Sequence, residues 1–290
     1  MTLKPFQQTL AKPVMLAGVG VHSGKVANLE LIPAAENSGI VFIREDADGV
    51  QHRFAAHADQ VGTTDLSTTL GTGDIRIHTI EHLMSAVSAL GLDNLEIVLD
   101  GEEVPILDGS ALDFINAFDA AGIEVQSAKR KYIRVLKPVR IEHNDSWTEF
   151  TPYDGLHYDV EIEFSSPVIG RQKFAADLDA DIFKNEIAAA RTFGFMKDVE
   201  TLWAAGLALG SSLENSLVIG HDDTIINEGG LRLENEFVRH KTLDAIGDLA
   251  MLGTPFIGRF SSFKGGHKMN FHVVKALLDD KSTHEIIELA

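Results

Sequence analysis

Glu236-Phe-Val-Arg-His-Lys-Thr-Leu-Asp-Ala-Ile-Gly-Asp248 is the stretch whose reading decides how this chain folds and what it can do. Read as a helix, it places His240, Asp244 and Asp248 at i, i+4 and i+8, one above another on a single stripe. Leu243, Ile246 and Ala250 fall on another side, which can face a core. A neutral imidazole and a carboxylate one turn apart are good ligands for a borderline divalent metal such as zinc. Such a pair also occurs on exposed helices, where it contributes only a few tenths of a kcal/mol. Asp248 fits that plainer reading poorly, because three aligned polar groups make an unusually polar ridge. A carboxylate that orients a histidine is a specific use for it. A working site would need a third ligand, a base and an acid from elsewhere in the chain.

The 290 residues suffice for one large domain or two ordinary ones. Apolar residues make up 44% and the mean hydropathy is near zero, as expected of a soluble globular protein. No run approaches the roughly 20 apolar residues that span a bilayer. The start, Met1-Thr-Leu-Lys-Pro-Phe-Gln-Gln, lacks the charged-then-apolar order of a secretory signal. With no cysteine, disulfides and thiolate metal sites are excluded, and any zinc must be held by His, Asp or Glu. That suits a cytoplasmic protein. A formal charge of -18 argues against a general nucleic-acid binder. An anionic small molecule remains an acceptable substrate if Lys and Arg gather locally.

The first part reads as strands and hairpins, with alternation in Ala27-Asn-Leu-Glu-Leu-Ile and a buried-type run in Gly39-Ile-Val-Phe-Ile. Helical spacing then runs from Thr79 to Leu90, with Gly91 as a natural C-cap. Leu95-Glu-Ile-Val-Leu is a strand, and Ala111 to Ala121 a second helix. The polar, basic segment 125–131 marks the expected boundary between a domain over 1–125 and another over 132–290. The second opens with strands, since His157-Tyr-Asp-Val-Glu-Ile-Glu-Phe alternates strictly. Helices are predicted near 182–190, 197–206, 235–252 and 269–279. Strands followed by helices in both halves predict α+β domains, each a mainly antiparallel sheet with helices packed on one side.

Glu81 precedes His82 at the start of the first long helix, placing a carboxylate beside a ligand, as a metal-activated water requires of its base. His78-Thr-Ile-Glu-His82 also matches the H-x-x-E-H pattern of inverted zinc peptidases. Taken alone, a polar helix start with solvated histidines is the plainer reading. Ser261-Ser-Phe-Lys-Gly-Gly-His267 reads as a glycine-hinged loop entering the last helix. A helix N-terminus disfavours an imidazolium, so His267 needs a carboxylate such as Asp248 to act as an acid. Arg191-Thr-Phe-Gly-Phe-Met reads as a turn offering the Thr192 hydroxyl and the apolar walls of Phe193 and Phe195. Val199, Leu202 and Trp203 form a stripe that is more often core than ligand channel. Gly18-Val-Gly-Val-His-Ser-Gly-Lys25 fails as a phosphate loop, because no glycine lies five before Gly24 and Val26 replaces the Ser or Thr. It reads as a hairpin or turn.

Together these segments resemble the LpxC family, the zinc-dependent UDP-3-O-acyl-N-acetylglucosamine deacetylases of lipid A biosynthesis. The resemblance runs nearly end to end: Gly18–Gly24, Thr79-Ile-Glu-His82, Leu92-Asp-Asn94, Asp108-Gly-Ser110, Arg191–Phe195, His240–Asp248 and Gly265-Gly-His267. It implies two similar two-layer α+β domains with the active site at their interface. It implies His82, His240 and Asp244 as zinc ligands and Glu81 as the base. Zinc and the Thr192 hydroxyl would stabilise the oxyanion, and His267, held protonated by Asp248, would serve the leaving amine. Lys241 and Lys264 are implied as contacts to the nucleotide phosphates. Phe193 and an insert near 195–215 would border a passage for the acyl chain. A monomer acting on this UDP-linked acylated glucosamine, and releasing acetate, is the expectation. Some members carry a cysteine where this chain has Asp65-Leu-Ser-Thr-Thr-Leu70, and His78 is not part of the family pattern. Two rival readings are a peptidase using His78 and His82, and an inert nucleotide-sugar or acyl-binding module. Only the deacetylase reading gives His240, Asp244 and Asp248 separate tasks.

Overall fold

The computed structural model describes residues 3–289. It is an α+β fold built on two antiparallel-dominated sheets. The first has the order Val14–Val19, Val26–Pro33, Leu95–Leu99, Ile40–Glu45 and Gln51–Ala55, with only the Leu95–Leu99/Ile40–Glu45 pair parallel. The second has the order Val139–His143, Ser146–Thr151, Phe256–Phe263, Lys131–Val135 and His284–Glu288. Leu156–Glu163 joins it beside Phe256–Phe263 and pairs in turn with Arg171–Asp177. The alternation read in that strand is real: Tyr158, Val160 and Ile162 are buried while their neighbours are wetter.

Among the described residues, six α-helices run in chain order: α1 (Glu81–Leu90), α2 (Leu112–Ala121), α3 (Ala180–Ile182), α4 (Met196–Ala204), α5 (Glu236–Leu249) and α6 (His267–Asp279). Helix α1 stops at Gly91, whose φ of 72° closes the last turn as only glycine does without strain. It starts at Glu81 rather than Thr79. Thr79 has a left-handed φ of 58°, and His78 bridges to Glu103, so the helical pattern loses its first two residues.

Helices α1 and α5 pack against each other, and α5 also rests on Leu156–Glu163 and Arg171–Asp177. Leu83, Met84 and Val87 of α1 join Leu243, Ile246 and Leu249 of α5 in one buried core. The approach depends on Gly247, because a Cβ there would lie 2.0 Å from the Glu81 carbonyl oxygen. Helix α5 is buried on nearly every side, polar ridge included. Its His and Asp side chains must therefore find partners inside the protein. A cavity of about 130 Å³ lies against the C-terminal ends of both helices, lined by Met84, Val87 and Leu249. None of the ridge residues borders it.

Four local expectations change. Most of 125–131, read as a polar boundary, lies in the strand Ile123–Lys129, which pairs with Phe6–Leu10, and its polar side chains are tolerated because that ribbon has only two strands. Helix α3 is one short turn that continues as a π-helix over Phe183–Ile187. Phe193–Phe195 is a short parallel strand against Leu217–Ile219, not a turn. Helix α4 buries no residue and leaves Trp203 54% exposed, so its apolar stripe is not core.

Candidate active site

The i, i+4 geometry of α5 brings His240 and Asp244 together, and the α1–α5 crossing adds His82. The Asp244 Oδ1 atom lies 3.3 Å from His240 Nε2 and 3.5 Å from His82 Nε2. One donor atom from each of the three residues falls within 4.8 Å of the others, and all three residues are buried. The first turn of α1 thus supplies one candidate ligand, and the second and third turns of α5 the other two.

This group fits a metal ion on three counts. Donors held about 2.0–2.1 Å from a tetrahedral zinc are separated by about 3.4 Å, and the two carboxylate–imidazole spacings match. Asp244 Oδ1 and His82 Nδ1 are buried without a hydrogen-bond partner, a costly state that a cation at Oδ1 relieves for the carboxylate. His240 Nδ1 faces the Ala190 carbonyl at 3.1 Å, which fixes the proton there and leaves Nε2 with a lone pair. Burial pushes the His240 imidazole down to about 4, against the opposing charge of Asp244, so it is neutral at physiological pH. Burial also works against the charged form of Asp244, but the charges of His240 and Lys241 outweigh it and hold the carboxyl well below its ordinary range.

Beside this group stand the base and acid candidates. Burial pushes the Glu81 carboxyl up to about 6, moderated by the charges of His267 and His82. Its Oε1 lies 3.8 Å from His267 Nε2. The other ring nitrogen, Nδ1, contacts Asp248 Oδ2 at 3.0 Å and Oδ1 at 3.1 Å. Burial alone would lower the His267 imidazolium; the charges of Asp248 and Glu81 more than reverse it, raising it to about 9. The pairing that the helix N-terminus demanded is therefore present, with Asp248 reached across the α5–α6 contact. The loop before His267 is shorter than the glycine-hinged reading suggested, because Ser261–Phe263 belong to a strand.

Other singled-out residues lie at varying removes. Phe193 places its ring 6.2 Å from His240 and 5.0 Å from Phe237. Phe164 continues this line toward Phe195, with centroids 5.7 Å from Phe193 and 6.2 Å from Phe195. Thr192 is fixed through its backbone, donating to the Gly109 carbonyl at 2.7 Å and accepting from Leu217 N–H at 2.7 Å. Lys241 donates to Asp244 Oδ2 at 2.6 Å. Lys264 binds Asp145 at 2.6 Å and Glu163 at 3.2 Å, near the surface. His78 stands outside the group, with Nδ1 3.0 Å from Thr69 Oγ1.

Several contributors were not legible in the sequence. Arg191 and Glu236 form a buried pair, with Nε–Oε1 at 2.9 Å and Nη2–Oε2 at 3.2 Å. The backbone N–H groups of Arg191 and Arg232 donate to the same carboxylate, at 3.0 and 2.6 Å. This cluster pins the start of α5 to the segment carrying Thr192 and Phe193. Thr68 donates from its backbone to Glu81 and from its hydroxyl to Asp248, and Asn270 Nδ2 donates to Asp248 Oδ2 at 2.8 Å. A pattern search could have flagged Asn270, three residues after His267 on a helix face. Nothing in residue type marks a backbone donor such as Thr68.

Comparison with known proteins places the chain among deacetylases by sequence. A family model described as "LpxC: UDP-3-O-acyl N-acetylglycosamine deacetylase" matches residues 7–279. Proteins named UDP-3-O-acyl-N-acetylglucosamine deacetylase from Brucella ovis and Brucella abortus are each 57% identical to it over 286 residues, 99% of this chain and 100% of theirs. The protein of that name from Brucella melitensis is 56% identical over the same extent. With a match of that span laid over a buried His82–His240–Asp244 group, the chain belongs to the LpxC family.

Proposed function

We propose that this chain hydrolyses the acetamide of UDP-3-O-acyl-N-acetylglucosamine in lipid A biosynthesis, releasing acetate and leaving the free amine. The observation that carries the reading is the convergence of one potential metal group, His82–His240–Asp244, with one carboxylate base and one carboxylate-backed histidine. His82, His240 and Asp244 hold zinc in this reading. Zinc, when bound, supplies Lewis acidity to the amide carbonyl and to the attacking water.

Glu81 takes the proton from that water at Oε1, and its elevated carboxyl suits a base that must later give the proton up. Attack on the carbonyl carbon places negative charge on its oxygen, toward which the Thr192 hydroxyl is assigned as donor. His267 carries its proton on Nε2 and delivers it to the departing amine, while Asp248 holds the ring from behind. Cleavage of the C–N bond then yields acetate. Lys241, and Lys264 once it exchanges Asp145 and Glu163 for phosphate, are assigned to the nucleotide. The aromatic line from Phe237 through Phe193 and Phe164 to Phe195 supports an acyl passage over 195–215. In this scheme a domain over 1–125 contributes Glu81 and His82, and one over 132–290 contributes the remainder. We place the enzyme in the cytoplasm as a monomer. No helix among the described residues is long and apolar enough to cross a membrane.

The deciding experiment measures bound zinc and acetate release from the UDP-linked acylated glucosamine, for the parent and for Glu81→Ala. The expected result is stoichiometric zinc in both and a loss of roughly 10²-fold or more in turnover for the variant, typical of removing a general base. Unchanged turnover in Glu81→Ala, or a folded parent that holds no zinc and frees no acetate, overturns the reading. An inert binding module would be indifferent to the substitution.

A further inference from the structure

We propose that Thr68 is a positioning residue that ties the base carboxylate of Glu81 to the Asp248 carboxylate behind His267. The inference deepens the deacetylase reading and rests on it. Thr68 is buried, 2% exposed, in the segment between Val61–Thr63 and Thr69–Leu70. All three of its polar groups are committed to the two helices that build the site. Its backbone N–H donates to Glu81 Oε2 at 3.1 Å, and its Oγ1 donates to Asp248 Oδ1 at 2.6 Å. Its carbonyl accepts from the N–H of Ile80, the residue before α1, at 3.3 Å. Among the described residues, no other is hydrogen-bonded to both carboxylates.

The arrangement answers an electrostatic difficulty. Glu81 and Asp248 are like charges in a buried space, where mutual repulsion is poorly screened. Asp248 has three donors: His267 Nδ1, Asn270 Nδ2 and the Thr68 hydroxyl. Among the described residues, Glu81 has only the Thr68 N–H as a hydrogen-bond donor, at Oε2, which leaves Oε1 as the oxygen nearer His267. One residue therefore selects the working oxygen of the base and also fixes the carboxylate that orients the acid. The segment is held stiffly enough to do this. Leu70 and Ile77 exchange two backbone hydrogen bonds at 2.9 Å, and Thr69 Oγ1 meets His78 Nδ1 at 3.0 Å.

Thr68→Val keeps the shape and removes only the hydroxyl; Thr68→Ser keeps the hydroxyl and removes a methyl group. In the zinc-loaded enzyme, Thr68→Val is expected to lower kcat by about 10-fold, the size of a lost hydrogen bond to a charged group. KM and zinc per chain should stay at parent values, and Thr68→Ser should recover most of the loss. Adding Thr68→Val to Asp248→Asn should cost little more than Asp248→Asn alone, since both act on one interaction. A readout independent of turnover is the low-field proton on His267 Nδ1 in the NMR spectrum, which should move in Thr68→Val and not in Thr68→Ser. Should valine prevent folding, Thr68→Ala set against Thr68→Ser carries the same comparison. A valine or alanine variant with parental kcat, a serine variant as impaired as they are, or additive losses in the double variant would each overturn the proposal. A parent that released no acetate would sink the deacetylase reading, whereas an unmoved His267 proton in Thr68→Val sinks this proposal alone.

Discussion

Asp244 and Asp248 are one helical turn apart on α5, and their surroundings give them opposite tasks. Asp244 keeps one oxygen without a hydrogen bond, facing two imidazole nitrogens, while Lys241 occupies the other. Asp248 has both oxygens hydrogen-bonded, by Thr68, Asn270 and His267. In the proposed mechanism the first is a metal ligand and the second a fixed counter-charge. That difference yields a pH prediction. Burial lowers the His267 imidazolium and the Asp248 charge, with Glu81, lifts it to about 9. An acid works only while protonated, so activity should fall as pH rises through that value. Asp248→Asn removes the largest lifting charge, so the alkaline limb of kcat/KM should move to lower pH, with kcat reduced across the profile. A profile whose alkaline limb stays in place would show that Asp248 does not govern the His267 proton. Sequence spacing made the His240–Asp244–Asp248 ridge legible, because side-chain direction on a helix is fixed by its period. Thr68 and the unpartnered state of Asp244 Oδ1 were not, since both depend on atoms brought together from distant segments.

At the scale of elements, α5 owes its position to features a pattern of apolar residues does not reveal. Gly247 lets its backbone meet α1 at Glu81. Glycine inside a helix costs about 1 kcal/mol relative to alanine, so an exposed helix would gain from Gly247→Ala. Here the added Cβ meets a backbone oxygen, and we expect a loss of about 1–3 kcal/mol, the range for overpacking a tight core. Thermal unfolding measures it, and a raised melting temperature would refute the close contact. The other anchor is the Arg191–Glu236 pair at the start of α5. Burial tends to raise the Glu236 carboxyl, but hydrogen bonds from Arg191 and Arg232 and the Arg191 charge leave it below its ordinary value of 4.5. A depressed carboxyl contributes stability above the unfolded value and loses it as pH falls through the folded one. Glu236→Gln should therefore cost about 3–5 kcal/mol near neutrality, as for a broken buried pair. The difference from the parent should narrow below about pH 4.5. Denaturant unfolding at pH 7 and pH 3.5 tests this, and a pH-independent difference would mean that the charge is not what anchors the helix.

For the whole molecule, the sequence was most informative where chemistry and periodicity coincide. The antiparallel-dominated α+β architecture, the strand at Leu95–Leu99 and the Gly91 stop of α1 follow from local pattern. The Ile123–Lys129 ribbon and the exposure of α4 do not, because each depends on what lies opposite rather than on the segment itself. The α1–α5 crossing is the joint through which such distant segments meet, and it suggests what removing a metal should do. His82 arrives on α1 and His240 with Asp244 on α5, so an ion held by all three would cross-link two helices that carry separate parts of the chain. Without it, Asp244 Oδ1 remains buried and unpaired, at a cost of about 1–3 kcal/mol for such a group. A ligand that binds only the native state, at about 1,000 times its Kd, adds about 4 kcal/mol of stability. For a chain of this size, chelation should then lower the melting temperature on the order of 10 °C. Calorimetry of the zinc-loaded and chelator-treated protein measures the shift, and re-addition of zinc should restore it. His82→Gln provides the control, because a chain already lacking one ligand should respond far less to the chelator. Identical melting of the loaded and stripped parent would mean that the three side chains do not share an ion, whatever their spacing.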